Sequence, residues 1–148
     1  MTLDVKLRWN EHVRVKRKQL NLRYRKLHWL LGRHSVMSTN NKLLIYNQIL
    51  KPIWTYGLQL WGCATKCHKA VISKFQNKVL REIVNAPRFY RTDRLHKDLG
   101  VSTVEEEIKK HAQRHDLRLA RHPNVEATRL NRNARRRRLR RTVPSDLV

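Results

Sequence analysis

Glycine and proline are scarce in this chain, with four of each in 148 residues. A sandwich of short strands needs a turn about every 8–12 residues, so this shortage excludes it and favours long helices. Cysteine is nearly missing. Cys63 and Cys67 cannot build a disulfide framework, and no apolar leader follows Met1, so the expected compartment is intracellular, nuclear or cytoplasmic, and not secretory. The most informative shortage is of acids: 11 Asp and Glu face 34 Lys and Arg, a formal net charge of +23. Self-repulsion of that size does nothing for folding and implies a polyanionic partner, with nucleic acid first. A membrane surface would require a basic helix with a spare apolar face. At 40% hydrophobic and 7% aromatic content, the apolar residues are all needed for one core in one domain.

What apolar material there is concentrates in residues 43–61, LLIYNQILKPIWTYGLQLW. Apolar side chains cover nearly every side of this stretch, which predicts a helix buried on most of its surface. Ser38 and Thr39 are candidate N-caps, and Gly57 and Gly62 offer places to bend or stop. Pro52 removes an amide donor and clashes one turn back, so a kink is expected at about residues 47–51. A transmembrane span is the rival, but Asn47, Gln48, Lys51 and Gln59 interrupt it.

Around this centre the chain predicts an all-α fold of about five helices. Residues 1–9 alternate apolar and polar with the period of a half-buried strand, an orphan with no second strand to pair it. Residues 10–121 form the helical body. Asn10 is expected to cap a first helix whose apolar face is Val13, Leu20, Tyr24, Leu27 and Leu31. Thr65 opens a helix with Val71, Ile72, Phe75, Val79 and Ile83 inward, ended by Asn85 and Pro87. A short helix after Thr92 stops at Gly100, and Ser102 with Glu105 is expected to form a capping box for the last one, which faces inward through Val104, Ile108, Ala112, His115 and Leu119. Trp9, Trp29, Trp54 and Trp61, at helical spacing among aliphatics, read as core and not as base-stacking residues.

Residues 122–148 lose periodicity and gain charge. Eight arginines there against Glu126 and Asp146 give a net of +6, so the preceding 121 residues hold the other +17. This tail reads as a disordered arm that orders on nucleic acid. The body has its own candidate: Arg14, Lys16, Arg17, Lys18, Arg23, Arg25 and Lys26 lie on the first helix with no acid between them. A helix that merely needs solubility mixes its signs. The candidate nucleic-acid contacts are these seven together with Arg135, Arg136, Arg137, Arg138, Arg140 and Arg141.

Other chemistry is thinly supplied. Cys63, Cys67 and His68 lack a further cysteine for a structural zinc site, and His111 and His115 lack both the glutamate of HExxH and a third ligand. No serine stands in a nucleophile elbow, and no glycine-rich phosphate loop is present.

Several ordered stretches carry a resemblance. Tyr56 to Gly62 matches a YGxQLWG pattern, and Gln76 to Arg81 with Asn85, Ala86 and Pro87 matches QNKxLRxIxNAP. His96 to Gly100, Thr103 to Ile108 and Arg137 to Leu147 match HxDLG, TVxEEI and RRLxRxxPxDL, and residues 1–9 match MTLDxxLxW. Together they resemble the C-terminal part of the reverse transcriptase of jockey-type non-LTR retrotransposons, departing from it at Arg88, where an aromatic residue commonly follows the NAP triplet. The resemblance implies a thumb and post-thumb region lying on template and primer, an RNA/DNA hybrid held through its backbone. It also implies that catalysis lies elsewhere. Two-metal polymerase chemistry needs paired aspartates on a palm, and Asp4, Asp93, Asp98, Asp116 and Asp146 are all separate. No cofactor is expected in this chain, the divalent metal belonging to that palm. Two alternatives stay open on the residues alone: a structural RNA-associated basic protein, and a degenerate element copy with no selected function.

Overall fold

The computed structural model describes residues 9–124 and 144–147, and among them the fold is all α, with no strand. The expected strand at residues 1–9 lies outside the described residues except for Trp9, which is buried as the N-cap of the first helix. The central stretch is the hub, and it is broken. Helix α2 (Thr39–Ile45) opens on Ser38, whose hydroxyl accepts from the Asn41 amide. It passes into a π-turn, Tyr46–Leu50, and then into α3, Lys51–Thr55, with Pro52 in its first turn. The widened turn falls where the missing Pro52 donor and the clash one turn back require the backbone to give. Gly57, at φ 70°, reverses the chain into the short α4, Leu58–Trp61.

This stretch buries one line and not its whole surface. Tyr46, Leu50, Trp54, Leu58 and Trp61 are sealed, whereas Leu44, Tyr56 and Leu60 are exposed. The expectation of burial on most of the surface is therefore corrected: Leu44 faces outward on α2, and the π-turn and Gly57 re-aim Tyr56 and Leu60 after them.

Helix α1 (Asn10–Leu31) and helix α5 (Lys66–Ile83) pack against this line and each other. Helix α1 buries Val13, Leu20, Tyr24 and Leu31, with Leu27 at the margin, as expected. Its start differs from expectation: Asn10 is the first helical residue and Trp9, left-handed at φ 62°, holds the cap position without a side-chain bond. In α5, Ile72, Phe75, Val79 and Ile83 are buried but Val71 is exposed. Thr65 takes the cap position without a side-chain bond.

Helix α6 (Thr92–Leu99) stops at Gly100, φ 60°. Helix α7 (Val104–Ala120) has its capping box one residue later than expected: Thr103 Oγ1 accepts from the Glu106 amide and Glu106 accepts from the Thr103 amide. Gly62 lets α4 approach α7 closely, since a Cβ there would lie 2.9 Å from Ile108 Cγ2 and 2.6 Å from the Leu58 carbonyl oxygen. Helix α7 is tied to the hub by Lys51 Nζ, which donates to Glu107 at 2.8 Å in a largely buried pair. Finally, Pro144–Leu147 forms a 3-10 turn against α7, and Leu147 joins the core. The rest of the expected arginine-rich arm, residues 125–143 and 148, lies outside the described residues.

Candidate nucleic-acid interface

Residues 14–26 all lie on α1, and their seven cations divide into two exposed sets and a half-buried pair. Arg14, Lys18 and Arg25, spaced by four and seven, share one flank and are exposed. Arg23 and Lys26 are exposed on another flank, bordering α3. Lys16 and Arg17 are turned inward. Lys16 Nζ sits 5.0 Å from the Tyr56 ring centre and Arg17 Cζ 4.7 Å from that of Phe75. Burial lowers the pKa of both, and their cation–π contacts offset part of that cost.

The first flank continues onto α5. Glu82 accepts from Tyr24 Oη, lies 3.7 Å from His28 Nε2 and 3.9 Å from Lys78 Nζ, which brings Lys78 to the α1–α5 seam. Lys74, also exposed, lies one turn before Lys78 on α5. Glu82 is thus a shared acceptor inside the packing, where burial raises its pKa. Among the described residues, none of Arg14, Lys18, Arg23, Arg25 and Lys26 forms an ion pair. Arg135, Arg136, Arg137, Arg138, Arg140 and Arg141 lie outside the described residues.

The stretches that carry the resemblance do structural work. Gln76 Nε2 donates to the Ser102 carbonyl at 2.8 Å, and the Asn77 amide meets His96 Nε2 at 2.8 Å. The other nitrogen of His96 donates to the Val101 carbonyl at 2.8 Å. Arg81 reaches the Tyr90 carbonyl and the Thr92 hydroxyl, closing the loop between α5 and α6. These residues latch α5, α6 and the start of α7 together.

Two aromatics expected in the core are exposed. Trp29, expected in the core, is 74% exposed on α1, and Tyr56 is 64% exposed beside Lys16. The signal for Trp29 was in its angle: two residues before buried Leu31, it points about 200° away on a helix of 3.6 residues per turn.

Among the described residues no three His, Cys, Asp or Glu side chains gather. Asp93 faces Arg91 and Asp98 accepts from Tyr90, while Cys63 Sγ donates to the Leu60 carbonyl and burial pushes its thiol pKa up. These groups do not fit a two-metal polymerase centre. No described helix is long and apolar enough to cross a membrane.

No family model matches the chain and no solved structure matches it. Relatives among characterised proteins are plain. The chain is 45% identical over 146 residues, 99% of its length, to the probable RNA-directed DNA polymerase from transposon X-element of Drosophila melanogaster. It is 38% identical over 88% of its length to the probable RNA-directed DNA polymerase from transposon BS of the same species. It is 34% identical over 99% of its length to the RNA-directed DNA polymerase from mobile element jockey of Drosophila funebris. The chain spans 16%, 14% and 17% of those three proteins. Over nearly all its length, and corresponding to a small part of theirs, this chain belongs to the family of jockey-type transposon RNA-directed DNA polymerases.

Proposed function

We propose that this chain is the thumb and post-thumb region of such a polymerase and binds template and primer as an RNA/DNA hybrid through backbone phosphates. The observation that carries this is the outer surface of α1: Arg14, Lys18, Arg23, Arg25 and Lys26 are exposed with no carboxylate partner among the described residues. An A-like hybrid hides its base edges in a narrow major groove, so a protein holds it mainly by phosphate and sugar. Arg14, Lys18 and Arg25 on one flank, continued by Lys74 and Lys78, supply separated charges of the one sign that contact requires. The residues 135–141 add arginines to the same task. With its aspartates all separate in sequence, the chain positions nucleic acid and leaves the metal-dependent chemistry to residues of the longer polymerase.

Competition tests this. A labelled blunt RNA/DNA hybrid bound by the chain should be displaced by unlabelled hybrid at lower concentration than by a folded RNA hairpin of equal length. Preference for the hairpin would instead identify an RNA scaffold protein, the reading that the arginine-rich tail would support by itself.

A further inference from the structure

Helix α5 ends in a loop that is held at several points and open at its tip. Asn85, left-handed at φ 53°, follows the helix end; its amide donates to the Glu82 carbonyl and the Ala86 amide to the Arg81 carbonyl at 2.9 Å, the pairing that satisfies the last carbonyls of a helix. The Tyr90 amide then closes a turn on the Pro87 carbonyl at 3.1 Å, which makes Arg88 and Phe89 its two central residues. Tyr90 packs against the core and its hydroxyl donates to Asp98, while the Arg81 guanidinium donates to the Tyr90 carbonyl and the Thr92 hydroxyl. Phe89 is nevertheless 87% exposed, the most open aromatic ring among the described residues. Arg88, Arg91 and Arg94 are exposed with it; Arg91 pairs with Asp93, and Arg94 interacts electrostatically with Tyr90. The turn also lies at one end of the candidate interface. Arg17 sits over Phe75, and Tyr24 and His28 reach Glu82, so α1 and α5 run in the same sense and the loop follows α5 past the last turn of α1.

We infer that the Arg88–Phe89 turn holds an unpaired nucleotide where a strand leaves the duplex, with its base stacked on the Phe89 ring and its phosphate on Arg88. The inference rests on the nucleic-acid-binding function proposed above and adds to it a contact beyond the duplex. An unpaired base offers a free face to an aromatic ring, and such stacking tolerates any base. The neighbouring arginine supplies a charge-assisted bond to phosphate, and adjacency in one tight turn keeps ring and guanidinium together. Because Asn85, Arg81 and Tyr90 already fix the loop, little backbone order remains to be lost on binding. Charge selects the polyanion over an apolar protein surface: the exposed charged residues from 85 to 94 are three arginines against Asp93 alone. The cations of the α1–α5 seam take the duplex, and the turn past its end takes the strand that emerges.

The test compares a blunt RNA/DNA hybrid with the same hybrid carrying a short unpaired extension on the RNA or on the DNA strand, each bound to the 148-residue chain at one salt concentration. At least one extension should raise affinity over the blunt hybrid by roughly 5- to 100-fold. Phe89→Ala should remove that gain and leave blunt binding unchanged. Phe89→Leu, apolar but without a ring, should lose it too, whereas Phe89→Trp should keep it, and circular dichroism should match the native chain in all three. A fluorescent base analogue at the first unpaired position should be quenched by the native chain and not by Phe89→Leu. No gain from either extension, a gain that survives Phe89→Leu, or equal losses on blunt and extended hybrids would overturn the inference alone. Failure to bind any of the hybrids would remove the proposed function as well.

Discussion

Helices α1 and α7 are both long and amphipathic, yet their charges answer to different causes. In α7 the charges serve the fold: Glu105, Glu106 and Glu107 sit in the first turn, Arg118 in the last, and Thr103 with Glu106 closes a capping box. Each sign is at the end of the helix dipole that favours it. Helix α1 has less of this, with Glu11 alone in its first turn and His28 in its last. It begins on a left-handed Trp9 without a side-chain cap, and its middle carries seven cations and no acid. Like charges one turn apart destabilise a helix, so packing of Val13, Leu20, Tyr24 and Leu31 must hold α1 against its own surface. The contrast separates charge that folds the chain from charge that waits for a ligand.

The largest effect should come from stripping the second kind. Replacing Arg14, Lys18, Arg23, Arg25 and Lys26 together by Ala should lower affinity for an RNA/DNA hybrid on the order of 1,000-fold at physiological salt. Replacing the exposed Lys109, Arg114 and Arg118 of α7 in the same way should cost less than about tenfold, read by fluorescence anisotropy. Similar losses from both helices would erase the distinction.

The converse holds for stability. Lys51→Ala leaves Glu107, 9% exposed at its side chain, without its closest cation and should destabilise the chain by about 3 kcal/mol in urea unfolding while leaving hybrid affinity unchanged. The same pair sets an acid limit. Burial raises the pKa of Glu107, but the Lys51 hydrogen bond and the charges of Lys51, Lys110 and His111 outweigh it, so the net shift is below the ordinary value of 4.5. A carboxyl depressed in the folded state contributes stability that is complete above the unfolded value and lost as pH falls through the folded one. Unfolding free energy should therefore fall as pH drops below about 4.5, and Glu107→Gln should flatten that part of the slope.

Gly62→Ala forces a Cβ to within 2.9 Å of Ile108 Cγ2 and should cost about 1–3 kcal/mol. Smallest is the cap: Thr103→Ala should cost about 1 kcal/mol, and Asn10→Ala almost nothing, because Asn10 is inside α1 and not its cap. An Asn10 effect as large as that of Thr103 would mean that the two helix starts are alike after all.

Much of the fold was legible in the residues. The break at about residues 47–51 followed from Pro52 and appears as the π-turn Tyr46–Leu50. The all-α class followed from the scarcity of Gly and Pro. Directions were harder to read. A run that is apolar on every side does not say which line faces inward, so Tyr56 and Leu60 read as buried until the π-turn and Gly57 fixed their angles. Trp29 misled through its chemistry, since a large ring next to Leu30 and Leu31 reads as core. The capping box slipped by one residue because Ser102 and Thr103 are adjacent and both are good caps; the Ser102 carbonyl is instead held by Gln76. Within the candidate interface, sequence named the cations, but only packing distinguishes Lys16 and Arg17, folded over Tyr56 and Phe75, from the five that face solvent.

The most direct measurement is the slope of log affinity against log salt for one RNA/DNA hybrid, compared between the native chain and the five-alanine variant of α1. Each phosphate neutralised contributes about 0.9 to that slope on a B-form duplex. Contact through all five side chains predicts a variant slope shallower by about 4 to 5, with thermal stability equal to or above that of the native chain as self-repulsion is relieved. Identical slopes would show that the cations of α1 do not touch the phosphates, and would contradict the assignment of this helix to nucleic acid.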